Sequence, residues 1–338
     1  MIFPEFIKPG DIIGVTAPSD GNRKEVDFIR VDNGKKQLQE KGYSVLETEN
    51  VRTSLKGRSS DASSRAEQLT SLLTNQQVKA IIAAKGGDYL MEMLSYLDFN
   101  MIQKYPKWMQ GYSDVTGLLF TTTTTCDIAT IYGNNFNDFA MEPWHEAICN
   151  DLQVLEGKNP IQNSFTEYED EFHDRITGLE GYFLDKKVEW KNTRNQESIT
   201  LKGRLIGGCL DVLLNLVGTR FDTVKSFNER YKEDGILWYL ESFDLNSESL
   251  ARGLWQLKEA GWFDHAVGFV FGRPAMYTTW TDTTYEEAVM SILEPFNLPI
   301  ILDADIGHKT PQFTIINGSI GTFTSTKGKG QLTMELIP

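Results

Sequence analysis

The chain has 338 residues, and its 33 basic and 47 acidic side chains give a formal net charge of −14. This acidic balance argues against a nucleic-acid polymer as partner, and the sequence has no apolar run long enough to span a membrane. The length favours two domains over one core.

The cysteines and the N-terminal segment indicate the compartment. Cys126, Cys149 and Cys209 are far apart and odd in number, which favours buried thiols in a reducing compartment over a disulfide framework or a metal site. Residues 1–11 lack the basic region and apolar core of a signal peptide. We therefore expect a cytoplasmic protein that carries neither a metal nor a cofactor.

Strands and helices alternate through residues 1–150. The predicted elements are strand 11–17, helix 24–41, strand 43–46, helix 63–73, strand 78–84, helix 89–97, a strand ending just before Ser113, and strand 128–132. This alternation is typical of βαβ units, so we expect an N-terminal domain with a parallel, flavodoxin- or Rossmann-like sheet covered on both faces.

Residues 151–195 interrupt the pattern, because they are polar and acidic with no clear period. We interpret them as a connector with some ordered pieces, and residues 196–338 as a smaller α/β domain with a mixed sheet. Its predicted elements are strand 199–205, helix 210–216, strand 236–241, helix 248–260, strand 267–272, helix 285–293, strand 299–303 and a hairpin at Asn317–Gly318.

Ser113 lies where a predicted strand ends and a helix begins, with Gly111 just before it to permit a tight turn. This is the setting of a nucleophile elbow, although the sequence reads G-Y-S-D and not G-x-S-x-G. The alternative is that Ser113 is the N-cap of the helix. The amide of Asp114 and one from Gly86 or Gly87 could form an oxyanion hole, whereas the alternative for the two glycines is a tight turn or a phosphate cradle.

An activated serine needs a base and a group that orients it. Of the four histidines, only His308 follows a predicted strand at its carboxyl end, where reacting groups gather in open α/β sheets. Glu241 ends an apolar strand, where a carboxylate is costly unless it is paired. It either accepts a hydrogen bond from His308 or binds loop amides. Ser113, Glu241 and His308 thus all lie at predicted carboxyl ends of strands.

These residues resemble the LD-carboxypeptidase family of serine peptidases. The matching segments are Lys8–Asp11, Ala17–Ser19, Lys85–Asp88, Gly111–Thr116, Gly203 with Gly207–Gly208, Leu240–Glu241 and Gly307–His308. The resemblance implies a parallel-sheet domain, a smaller α/β domain, an active site between them and a homodimer. It also implies Ser113 as nucleophile, Glu241 as orienting acid and His308 as base.

The branch of the family bears on the substrate. The acidic pattern of muropeptide carboxypeptidases is incomplete at 241–252, whereas Gly272–Pro274 and Trp190 look more like the microcin C self-immunity branch, which cleaves peptidyl-nucleotide amides. Trp190 could then stack on adenine, or it packs the connector onto the second domain. We hypothesise a metal-independent serine amide hydrolase acting on a small peptide or peptidyl-nucleotide. The alternatives are a cell-wall LD-carboxypeptidase and a non-catalytic ligand-binding protein.

Overall fold

The computed structural model describes residues 1–194 and 196–336. Its strands are β1 Ile12–Thr16, β2 Ser44–Glu47, β3 Val78–Ala83, β4 Trp108–Gly111, β5 Thr130–Tyr132, β6 Gln162–Asn163, β7 Glu167–Tyr168, β8 Lys186–Lys187, β9 Lys191–Asn192, β10 Ser198–Cys209, β11 Ile236–Glu241, β12 Ala266–Gly272, β13 Ile300–Ala304, β14 Ile315–Asn317, β15 Ile320–Thr326 and β16 Lys329–Glu335. Its α-helices are α1 Glu25–Glu40, α2 Ala62–Thr74, α3 Met91–Leu94, α4 Phe99–Lys104, α5 Thr116–Cys126, α6 Glu146–Leu155, α7 Leu210–Leu213, α8 Val224–Arg230, α9 Ser247–Glu259 and α10 Tyr285–Leu293.

The first sheet has six strands in the order β14-β5-β4-β3-β1-β2. Its five N-terminal strands are parallel, and β14 pairs antiparallel with β5 at the edge. The central strand β3 is almost wholly buried because helices cover both faces of the sheet, which explains its near-continuous apolar sequence. The predicted parallel-sheet N-terminal domain is therefore confirmed.

The second sheet has eight strands in the order β6-β16-β15-β10-β11-β12-β13-β9. Strands β10 to β13 run parallel to one another, whereas β15, β16, β6 and β9 are antiparallel to their neighbours. The sheet is mixed, as expected. Its parallel strands have their carboxyl ends at one edge, and Glu241 is the last residue of β11.

Two predicted helices are shorter than their sequence pattern indicated. The pattern at 89–97 gives only the single turn α3, because the Asp98 side chain accepts a hydrogen bond from the Asn100 amide and begins the separate helix α4. Likewise, the regular helix predicted at 210–216 ends at Leu213. Apolar spacing alone did not show where these helices end.

The hairpin predicted at Asn317–Gly318 is wrong. Strand β14, which ends at Asn317, pairs with β5 in the first sheet, whereas β15 pairs with β10 and β16 in the second. The turn is real, since Gly318 has a φ of +90°, but the two strands that it joins belong to different sheets. A local turn signal does not specify the partner of each strand.

The predicted connector contributes pieces to the second sheet. Strand β6 pairs with β16, β9 pairs with β13, and β7 and β8 form a small ladder of their own. Helix α6 runs through position 150, and the domain limits at 150 and 195 stay predictions. Within the described residues, no helix combines the length and apolar character needed to cross a bilayer.

Candidate active site

Ser113 occupies a strained turn between β4 and α5. Its φ is +64°, a left-handed value that is uncommon for a residue with a side chain. A 3-10 turn over Ser113–Val115 follows, and α5 begins at Thr116. Tyr112 and Val115 occupy the N-cap positions of these two elements, so Ser113 is the N-cap of neither. The geometry thus differs from an ordinary serine N-cap and matches the strand–turn–helix setting of a nucleophile elbow.

The loop containing Gly86 and Gly87 lies directly against Ser113. A Cβ atom built on Gly86 would lie 2.8 Å from both Cβ and Oγ of Ser113 and 3.7 Å from the Asp114 amide nitrogen. A side chain at position 86 would therefore collide with the serine. The absence of a side chain lets the backbone of this loop approach the serine and the first amide of the turn closely.

Glu241 and His308 form a direct pair. The Nδ1 atom of His308 lies 2.9 Å from Oε2 of Glu241, whose side chain is completely buried. The other carboxylate oxygen, Oε1, accepts a 2.7 Å hydrogen bond from the Tyr132 hydroxyl. Gly307 has a φ of +90°, and a Cβ atom there would lie 2.5 Å from the carboxyl carbon of Glu241. A glycine before His308 is thus required by this packing.

Burial by itself raises the pKa of Glu241, because it disfavours the charged carboxylate. The adjacent His308 ring and the hydrogen bonds from His308 and Tyr132 outweigh this effect, so the pKa lies below the ordinary value for a glutamate. The carboxylate is therefore ionised at neutral pH. It is held by two donors, Tyr132 of the first sheet and His308, which follows strand β13 of the second.

Ser113 and His308 border the same cavity, which has a volume of about 380 Å³. The His308 ring lies between the rings of Tyr112 and Phe243, with centroid distances of 5.2 and 4.7 Å. Among the described residues, no hydrogen bond joins the Ser113 hydroxyl to this ring. Because Nδ1 faces Glu241, the Nε2 atom is the ring nitrogen left for a partner in the cavity.

A smaller cavity of about 180 Å³ adjoins the first and shares the His308 ring with it. Both are bordered by the ion pair between Arg30 and Asp138, whose Nη2 and Oδ1 atoms lie 2.8 Å apart. The predicted connector covers this second space, and Lys309 bonds to Asp170 of the connector at 2.9 Å. The pairs present both signs of charge to a ligand.

Sequence reasoning missed the tyrosine and the ion pair of this site. Tyr132 ends β5, so the same rule that selected Glu241 and His308, a polar residue at the carboxyl end of a strand, could have found it. Arg30 is one of several charged residues in the polar sequence of α1, and no local pattern shows that it contacts Asp138. That contact depends on the packing of α1 against the turn at 136–140.

Trp190 does not border either cavity. It is only 2% exposed, its ring packs against Phe313 and Phe323, and its Nε1 donates a 3.0 Å hydrogen bond to Asp305. The structure thus corrects the suggested adenine contact in favour of the packing alternative. Arg273 is also buried and bonds to Asp305 at 2.6 Å.

The remaining histidines and cysteines lie outside the candidate triad. His145 caps α6 and His265 lies near Glu229, while His173 is exposed. The three cysteines are free. In residues 1–194 and 196–336, no three His, Cys, Asp or Glu side chains are grouped as a metal site would require.

Two family models match the chain. The LD-carboxypeptidase N-terminal domain matches residues 13–133 and the LD-carboxypeptidase C-terminal domain matches residues 202–322, together more than half of the sequence. Among characterised relatives, the microcin C7 self-immunity protein MccF of Escherichia coli is 24% identical over 90% of this chain and 88% of its own length.

Solved structures agree with this assignment. The MccF-like protein of Bacillus anthracis is 27% identical, covers 99% of both chains and has a TM-score of 0.82. The muramoyltetrapeptide carboxypeptidase of Oxalobacter formigenes is 19% identical, covers 96% of this chain and 98% of its own, and has a TM-score of 0.72. The two sheets found here are thus arranged as in these proteins, and the chain belongs to the LD-carboxypeptidase family.

Proposed function

We propose that this protein is a serine-type peptidase that hydrolyses an amide bond with Ser113, His308 and Glu241 as its triad. The observation that carries the proposal is the 2.9 Å contact of His308 Nδ1 with buried Glu241, on a ring that shares a cavity with the strained Ser113. Membership of the LD-carboxypeptidase family supports a peptidase function for these three residues.

The roles follow from which atoms face each other. Glu241 accepts a hydrogen bond from the Nδ1–H group of His308 and so fixes the tautomer, which leaves Nε2 free to take the Ser113 proton. Ser113 then attacks the amide carbonyl, and His308 returns the proton to the leaving nitrogen. Water releases the acyl group by the same route. General-base assistance of this kind contributes about 10²–10⁴-fold to the rate.

The oxyanion hole is assigned to backbone amides. The Asp114 amide and that of Gly86 or Gly87 are proposed to donate to the developing oxyanion, because a Cβ atom built on Gly86 would lie 2.8 Å from the Ser113 hydroxyl oxygen and 3.7 Å from the Asp114 amide nitrogen. Each such donor is typically worth about 10²–10³-fold in turnover.

For the substrate, we propose a peptidyl-nucleotide or a related small peptidyl amide. MccF, which this chain resembles in fold, has been solved with aspartyl sulfamoyl adenosine. The cavities carry charges of both signs, which suits a ligand that has amino and acidic groups. A cell-wall tetrapeptide is the second candidate, favoured by the likeness to a muramoyltetrapeptide carboxypeptidase. A homodimer, as in other family members, stays a prediction.

The test compares the wild-type protein with Ser113→Ala, His308→Ala and, as a matched control, Ser71→Ala on the exposed face of α2. Each is incubated with an aspartyl sulfamoyl nucleoside and with a muramoyl tetrapeptide, and release of the sulfamoyl nucleoside or of D-alanine is followed. We expect turnover of one substrate by the wild type and the control alone. A serine-directed fluorophosphonate should label both of these and spare Ser113→Ala.

Native turnover by Ser113→Ala would refute the proposal. If neither the label nor a product is seen with the wild-type protein, while binding of either compound is measured, the chain is a ligand-binding protein and not a hydrolase.

A further inference from the structure

Asp114 uses its backbone and its side chain on different parts of the site. Its amide faces the Gly86 loop, whereas its carboxylate is buried with only 6% of the residue exposed. The Oδ2 atom accepts a 2.5 Å hydrogen bond from the Ser19 hydroxyl and a 2.8 Å hydrogen bond from the Leu90 amide. Neither donor belongs to α5, so the carboxylate is not an N-cap of its own helix.

Both donors adjoin the glycine loop that runs from β3 to α3. Leu90 closes the loop at its helical end. Ser19 supports its middle, since a Cβ atom on Gly87 would lie only 2.3 Å from the Ser19 hydroxyl oxygen. The neighbouring Asp20 amide donates a 3.3 Å hydrogen bond to the carbonyl of Gly86. The loop is therefore held at its helical end and along its middle.

We propose that the Asp114 carboxylate and Ser19 are positioning groups that fix the distance between the two halves of the oxyanion hole. The inference rests on the proposed function. One oxyanion donor is the amide of Asp114 itself, and the other is in the loop that the Asp114 side chain holds through Ser19 and Leu90. A single residue thus supplies one donor and places the other.

The chemistry of the carboxylate fits this role. Burial raises the pKa of Asp114, and the hydrogen bonds from Ser19 and Leu90 act in the opposite direction. A buried carboxylate destabilises the fold unless it is hydrogen-bonded, so the bonds from Ser19 and Leu90 are needed to keep it there. Because one oxygen accepts both bonds, the carbonyl oxygen of an asparagine could replace it, whereas an alanine could not.

The experiment compares Asp114→Ala, Asp114→Asn and Ser19→Ala with Asp127→Ala. Asp127 is a matched control, because it follows the opposite end of α5 and accepts a hydrogen bond from Tyr231, away from the glycine loop. Steady-state kcat and KM are measured, together with the affinity of a peptidyl boronic acid that forms a tetrahedral serine adduct. Thermal unfolding reports stability.

We expect Asp114→Ala to lower kcat about 10²-fold with KM unchanged, because a displaced donor is lost in the transition state and not in the substrate complex. Its affinity for the boronic acid should fall by a similar factor. Ser19→Ala should lower kcat about tenfold, since the hydrogen bond from the Leu90 amide to Asp114 remains. Asp114→Asn should retain activity within about threefold, and Asp127→Ala should retain wild-type kcat even where its unfolding temperature falls.

Wild-type kcat in a folded Asp114→Ala protein would overturn the inference. So would an equal loss in Asp114→Asn and Asp114→Ala, or a loss that follows the unfolding temperature across all four variants. Ser113→Ala, assayed in parallel, separates this result from failure of the proposed function. If that variant is inactive while Asp114→Ala is fully active, the triad stands and only the positioning role is rejected.

Discussion

Replacing Tyr132 by phenylalanine removes one oxygen from the centre of the molecule. The Tyr132 hydroxyl is the donor to Oε1 of Glu241 at 2.7 Å, and both residues are fully buried. The ring of phenylalanine can keep its packing against Tyr239 and Tyr112. The change therefore tests a single hydrogen bond to a buried charge.

The size of the effect follows from the acceptor. A hydrogen bond to a charged group contributes about 1.5–3 kcal/mol, and water cannot replace the donor because Glu241 is not exposed. We expect the free energy of unfolding to fall by about that amount at neutral pH. Turnover should fall about tenfold, equivalent to about 1.4 kcal/mol, because Glu241 then lacks its tyrosine donor and orients the His308 ring less well.

The matched control is Tyr239→Phe. Tyr239 is equally buried and its ring centroid lies 5.6 Å from that of Tyr132, but its hydroxyl donates to the neutral amide oxygen of Asn317 at 2.7 Å. Loss of a bond to a neutral group costs about 0.5–1.5 kcal/mol. Urea unfolding and kcat measured on both variants should show the larger stability loss in Tyr132→Phe and a fall in kcat only there.

The same pair has a defined pH dependence. Because the pKa of Glu241 is depressed in the folded protein, its contribution to stability is present above the ordinary glutamate pKa and is lost as the pH falls through the depressed value. Tyr132→Phe removes one cause of that depression, so this contribution should be smaller and should be fully lost at a higher pH than in the wild type. Equal stability losses and unchanged turnover in both tyrosine variants would refute this account of Glu241.

Three further predictions concern residues around the site. Gly307→Ala should lower the free energy of unfolding by at least ~1 kcal/mol and should lower kcat, because alanine would have a left-handed φ and a Cβ atom in collision with Glu241. Urea unfolding measures the first effect and steady-state kinetics the second. Trp190→Phe should lower the unfolding free energy by about 1–3 kcal/mol through the bond lost to Asp305, with KM for either candidate substrate unchanged. Burial raises the pKa of Asp151 to about 7, so folding retains a proton that the unfolded chain releases, and stability should fall as pH rises through the range from about 4 to about 7; Asp151→Asn should flatten that slope in urea titrations.

The sequence was most informative where its signals are local and periodic. Strand β3 and helix α10 have the boundaries that their apolar patterns predicted to within a residue. Polar residues at the carboxyl ends of parallel strands meet at one edge of the sheet, and this rule predicted that Glu241 and His308 are close although 67 positions separate them in the chain. The pairing of these two was thus accessible from sequence because both strands are in one parallel sheet.

The remaining features depend on contacts between elements that no local pattern encodes. The partner of β14 was mistaken because a turn does not specify the sheet on either side of it. Trp190 was open to two interpretations because an aromatic residue in a polar segment suits either a ligand or a core, and only its neighbours Phe313 and Phe323 decide. The place of Tyr132 at the carboxyl end of β5 can be read from the sequence, but its bond to Glu241 of the other sheet cannot.

Bonds between the two sheets also limit how the triad can assemble. Tyr132 of the first sheet binds Glu241 of the second, and the Thr116 hydroxyl at the start of α5 accepts a 3.2 Å hydrogen bond from the Cys209 amide at the end of β10. These bonds join the two sheets, at Glu241 beside His308 and at Thr116 three residues after Ser113, so a hinge motion of one sheet against the other would have to break them. We therefore expect the Ser113 hydroxyl to reach Nε2 by rotation of side chains, and a structure of a covalent serine adduct should show the sheets in their present relation.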